Sequence, residues 1–90
     1  MTERLWEIYE QCCQVEMRSL DEFVRLLKAG EFGEFSRDDI VAFLREIEAS
    51  MVENIHTKAM EHQRYAEMED QVSEEWHQYF DGLVEDFERA

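Results

Sequence analysis

The sequence predicts an all-α protein, and three observations carry that prediction. The 90 residues contain no proline and only three glycines. Apolar residues recur at intervals of three and four rather than two. Capping residues stand where the periodic runs begin. The expected architecture is a long antiparallel helical hairpin plus a C-terminal helix. It amounts to a three-helix bundle, completed by dimerisation or by a partner, in one domain with helices at 3–29, 37–69 and 74–88.

The first helix follows Thr2, a residue suited to capping, with Glu3 near the positive end of the helix dipole. Leu5, Ile8, Tyr9, Cys12 and Val15 share one side, widened by Trp6, Cys13 and Met17. Leu20, Phe23, Val24 and Leu27 continue in the same phase, which favours one helix to 29. A second capping box at Ser19-Leu20-Asp21-Glu22 offers the alternative of two helices with a kink near Arg18-Ser19. Gly30 is the expected C′ stop. The stretch Glu31-Phe32-Gly33-Glu34-Phe35 is the one clear loop. Its phenylalanines are either a plug beneath the turn or exposed anchors for a partner.

Ser36-Arg37-Asp38-Asp39 opens the second helix. Ile40, Leu44, Ile47, Met51 and Ile55 begin an apolar stripe, and Tyr65, Val72, Trp76, Tyr79, Phe80, Leu83 and Phe87 fall on the same side. Between them the pattern weakens at Asn54, His56, Thr57, Lys58, His62 and Glu69. A break near 70–73 is expected, with Ser73 as the next cap. Gly82 lowers helix propensity by about 1 kcal/mol but suits a close helix–helix approach. A second helix of more than 30 residues would span about 50 Å. So long a helix must bend back near 54–57 or 70–73, or be covered by another chain.

Charge is the strongest compositional signal. Twenty-three acids against nine bases leave a formal net charge of −14. Direct binding to nucleic acid or anionic membrane is not expected, because both need clustered Lys and Arg. The acidity is graded: net −2 over 1–30, −4 over 31–66 and −8 over 67–90. Cys12 and Cys13 are adjacent, so a disulfide between them would be strained; reduced packing thiols are expected. No apolar run resembles a secretory signal or approaches a membrane span, so a soluble cytoplasmic protein is expected.

Motifs for chemistry are sparse. There is no P-loop, no nucleophile elbow and no Cys–His nucleophile context, so neither catalytic residues nor a cofactor is expected. Glu53-Asn54-Ile55-His56 and Glu74-Glu75-Trp76-His77 carry the Glu-x-x-His spacing of ferritin-like metal bundles. Both pairs lie off the apolar stripe, where a solvated polar face is the simpler reading, and no metal site is assigned. Glu16 and His62 do fall on the stripes and would form a buried polar pair across the hairpin.

The partner-binding expectation rests on the C-terminal helix. Glu67, Asp70, Glu74, Asp81, Glu85 and Glu88 share its outward side at spacings of three, four or seven. Neighbours three or four apart stand about 5–6 Å from each other, close to phosphate spacing on a nucleic-acid strand. Trp76, Tyr79 and Phe80 are the candidate aromatic anchors. In size, acidity and helicity the chain resembles the small phage-type anti-CRISPR and anti-restriction inhibitors that imitate nucleic acid. That resemblance implies a non-enzymatic inhibitor or regulator docking on a basic, nucleic-acid-binding site of a larger protein complex. The alternatives are a homo-oligomeric structural or adaptor bundle, including a homodimer, and a ferritin-like metal-binding oligomer.

Overall fold

The computed structural model describes residues 2–89, and its secondary structure is all-α, with no strand among the described residues. The elements are α1 (Glu3–Tyr9), a π-helical turn (Glu10–Val15), α2 (Leu20–Lys28), α3 (Arg37–Glu61) and α4 (Gln63–Arg89). The chain divides into two compact units, one ending at Phe43 and one beginning at Leu44. No helix among the described residues is long and apolar enough to cross a membrane.

The expected first helix, 3–29, is two helices joined through a wider turn. After Tyr9 the hydrogen bonding loosens to the π pattern, with the Glu16 amide donating to the Gln11 carbonyl at 3.0 Å. The extra residue per turn shifts the apolar phase, so Val15 stands exposed instead of extending the stripe. Met17 then adopts the left-handed conformation, φ 59°, and the Arg18 amide reaches back to the Cys12 carbonyl at 3.0 Å. Ser19 caps α2 by accepting from the Glu22 amide at 3.1 Å. The second capping box therefore starts a helix, and local side-chain bonding outweighs continuity of phase.

The end of α2 follows the sequence. Gly30 is left-handed (φ 77°), its amide bonds the Leu27 carbonyl, and the Glu31 amide bonds the Leu26 carbonyl. This is the Schellman pattern, which answers the last carbonyls of the helix. In the first unit, Leu5, Cys12, Phe23, Val24, Leu27, Ile40 and Phe43 are buried. Phe43 is the hub of the aromatic packing, with ring centroids of Trp6 at 5.2 Å, Phe23 at 5.9 Å and Tyr9 at 6.1 Å. Phe32 stacks on Phe23 at 5.5 Å, so it plugs the core under the loop, while Phe35 is half-buried. Aromatic pairs of these kinds, edge-to-face or stacked, add about 0.5–1.5 kcal/mol each beyond simple burial.

Ser36 starts α3 as its sequence predicts, accepting from the Asp39 amide at 3.1 Å. The expected helix 37–69 instead ends at Glu61, and a single residue, His62, separates it from α4. The reversal falls between the two expected positions, and helix is unbroken through Asp70–Ser73. Side-chain pairs across the two helices hold this antiparallel register: Arg45 with Asp81, Glu48 with His77, and His56 with Glu69. The long hairpin is thus α3–α4, and α3 is about 37 Å long rather than 50 Å. Part of the length argument for a covering partner is removed, because the chain turns back on itself.

The core of the second unit comprises Leu44, Ile47, Phe80, Val84 and Phe87. Beyond Glu48 and before Phe80 no residue is buried, and Met51, Val52, Ile55, Val72 and Trp76 are half-buried. Gly82 is exposed and a Cβ built on it would meet nothing within 4 Å, so it does not mark a close helix approach.

Candidate functional site

Helix α4 places the six predicted carboxylates together. Glu67, Asp70, Glu74, Asp81, Glu85 and Glu88 are all exposed. At 100° per residue they occupy a sector about 60° wide, running about 32 Å along one helix. Their environments differ. Asp81 is held by Arg45 at 2.7 Å, and Glu85 pairs with Arg89 one turn on. Glu74 accepts from Gln78 at 3.4 Å. Glu67, Asp70, Glu74 and Glu88 have no ion pair among the described residues. Nine acids and two bases in α4 keep the potential along this stripe negative.

The aromatic anchors divide. Trp76 stacks on Phe80 with centroids 5.8 Å apart, and Tyr79 meets Phe80 edge-on at 5.3 Å. Phe80 is 0% exposed and belongs to the core of the second unit, so it is not a surface anchor. The stripe position that suggested an anchor is the position facing α4's own core. Trp76 and Tyr79 remain half-buried over it.

The histidine motifs are resolved across the helices rather than along them. His77 hydrogen-bonds Glu48 of α3, not Glu74. His56 meets Glu69 of α4 at 2.6 Å, while Glu53 is exposed. Among the described residues no three His, Cys, Asp or Glu side chains gather as a metal-ligand group. Each member of the expected Glu16–His62 pair has a neighbour within its own unit. Glu16 is exposed and pairs with Arg18 at 3.1 Å, and His62 sits in the α3–α4 turn with its ring 5.9 Å from Tyr65.

Sequence reasoning missed Glu48, a carboxylate only 7% exposed. Arg45 holds it at 2.7 Å and His77 bonds its other oxygen. Glu48 first, and Asp81 after it, raise the Arg45 guanidinium above its ordinary value. A signal was present, because Glu48 lies four residues after Leu44 on the buried side of α3. Cys12 is buried and Cys13 half-buried, and neither is in a disulfide.

No protein-family model, curated protein or solved structure matches this chain.

Proposed function

We propose that this chain is a non-enzymatic, cytoplasmic protein-binding protein that inhibits or regulates a larger nucleic-acid-handling complex. Its acidic α4 stripe docks on a basic groove of that complex, in the manner of anti-CRISPR and anti-restriction inhibitors. One observation carries this reading: six exposed carboxylates lie in a single narrow sector for about 32 Å, and four of them have no ion pair among the described residues. A row of fixed charges at this spacing favours a row of Lys or Arg that otherwise contacts phosphates. Trp76 and Tyr79 supply apolar contact beside the charged stripe.

Competition tests this reading. A short labelled DNA duplex is bound to an arginine-rich peptide and displaced by the protein. Glu67→Gln, Asp70→Asn, Glu74→Gln and Glu88→Gln together should weaken displacement by about tenfold or more. A control with the same net charge, Glu10, Glu34, Glu53 and Glu61 all changed to Gln, should weaken it by less than about threefold. Equal losses would mean that total charge acts without the stripe, and the reading would fall.

A second reading has its own observation. Met60 is 78% exposed, and Tyr65 and Met68 are exposed beyond the α3–α4 turn. Such a patch suits a homo-oligomeric or adaptor bundle. Native mass by light scattering separates the two readings. A stable dimer at both low and high salt supports the oligomer, and a monomer at both supports the inhibitor.

A further inference from the structure

The first unit carries a groove that the α4 stripe does not explain. Its volume is about 490 Å³, within the range of about 300–1,000 Å³ typical of ligand pockets. The floor is apolar, made by Ile8, Cys12, Leu26 and Phe32. The π-helical turn runs from Glu10 to Val15 through this floor, and the left-handed Met17 ends it. Val15 and Met17, on the same turn, stand exposed, so apolar surface continues along the chain from Cys12. Wider helical turns and left-handed residues both lower local stability and concentrate where a protein binds something.

The rim is acidic. Glu7, Glu16 and Glu31 line it, and Arg18 is the only cation in the lining. Arg18 is already engaged by Glu16 at 3.1 Å and by Glu22 at 2.8 Å. Glu7 and Glu31 have no ion pair among the described residues. An occupant must therefore bring an apolar side chain for the floor and positive charge for the rim. Phosphates and fatty-acid carboxylates are repelled by the same rim. A second copy of this chain, at net −14, is also repelled.

We infer that this groove binds a cationic amphipathic polypeptide segment of a partner protein, with an aliphatic or aromatic residue seated on Ile8, Leu26 and Phe32 and flanking Lys or Arg residues against Glu7 and Glu31. The inference stands on the first unit alone and does not depend on the α4 stripe.

The test uses the full-length, isotope-labelled protein and three synthetic peptides: a Leu/Lys amphipathic helix, an oligolysine of equal charge, and a Leu/Glu helix. The Leu/Lys peptide should shift the backbone amide signals of Ile8, Cys12, Leu26 and Phe32, and the other two should not. Glu7→Lys with Glu31→Lys should weaken that binding by about tenfold or more, and Glu34→Lys with Glu53→Lys by less than about threefold. The four-site α4 variant should bind the peptide as the parent does. Oligolysine binding as tightly as the Leu/Lys peptide, or shifts confined to α4, would overturn the inference. The shift map of the parent protein decides the matter even if a variant fails to fold.

Discussion

His77 on α4 hydrogen-bonds the buried carboxylate of Glu48 on α3. Nearer the turn the roles are exchanged, with His56 on α3 meeting Glu69 on α4 at 2.6 Å. The two pairs lock one antiparallel register, because a slip of one residue would part both. They differ in burial at the carboxylate: the Glu48 side chain is 9% exposed and that of Glu69 29%, while both histidines are exposed.

That difference predicts unequal energies. Glu48→Ala removes the acceptor shared by Arg45 and His77 and should cost about 2 kcal/mol in urea unfolding. His77→Ala should cost about 1 kcal/mol, and the double-mutant cycle should return a coupling of about 1 kcal/mol. The same cycle at His56 and Glu69 should return about 0.5 kcal/mol or less, because water screens it. Equal couplings would show that burial is not the deciding factor.

Met17 is a non-glycine residue held in the left-handed region (φ 59°) and is 80% exposed. It has little packing to lose and a backbone conformation that costs about 1 kcal/mol or more. Met17→Gly should raise stability by about 0.5–1 kcal/mol, and Met17→Val should lower it. The urea midpoints of the two variants check this. A destabilised glycine variant would mean that the Met17 side chain contributes contacts after all.

Two glycines should respond with opposite signs. Gly30 is left-handed at the α2 terminus, so Gly30→Ala should destabilise by about 1 kcal/mol although no atom obstructs a Cβ. Gly82 lies inside α4 with open space around it, so Gly82→Ala should stabilise by about 1 kcal/mol. Thermal melts of both variants read the signs directly, and the same sign for both would refute the backbone explanation.

Alkaline pH should weaken the fold. Burial, and after it Cys12, push the Cys13 thiol up to about 11 from an ordinary 9.0. Burial, and then Cys13, also push the Tyr9 phenol up. The folded chain therefore keeps protons that the unfolded chain has already released, and stability falls as pH rises through that window. The contribution is complete below the ordinary thiol value of 9.0 and is lost as pH climbs through about 11. Urea midpoints should decline from about pH 9 upward, and iodoacetamide should alkylate folded Cys13 faster with each step toward about pH 11. A reaction rate already level at about pH 9 would contradict the raised value.

Much of the helical architecture was legible in the chain itself. Ser36, Gly30 and the Ser19 capping box act locally, through a side-chain oxygen or a missing Cβ, so their effects are written at single positions. The buried runs Phe23-Val24-Leu27 and Ile40-Leu44-Ile47 are likewise set by helical periodicity. The six carboxylates of α4 share one side for the same reason.

Other features needed the tertiary structure. The break between Val15 and Leu20 has no glycine in it, because Met17 occupies the left-handed position, and the π-helical turn before it shifts the phase. The reversal at His62 carries no proline or glycine either. Its place is set by pairs such as Glu48–His77, whose partners stand 29 residues apart. The burial of Phe80 and Glu48, and the groove between Ile8 and Phe32, depend on which surfaces meet, and periodicity along one helix holds no information about its neighbour. The sequence by itself determined helix content, the Ser19 and Ser36 caps, the Gly30 stop and the charged stripe, because these follow from nearest-neighbour chemistry, whereas Thr2 makes no side-chain cap and Ser73 lies inside α4. The tertiary structure alone decided register, turn position and which half of each apolar stripe became core, because those depend on contacts between residues distant in sequence.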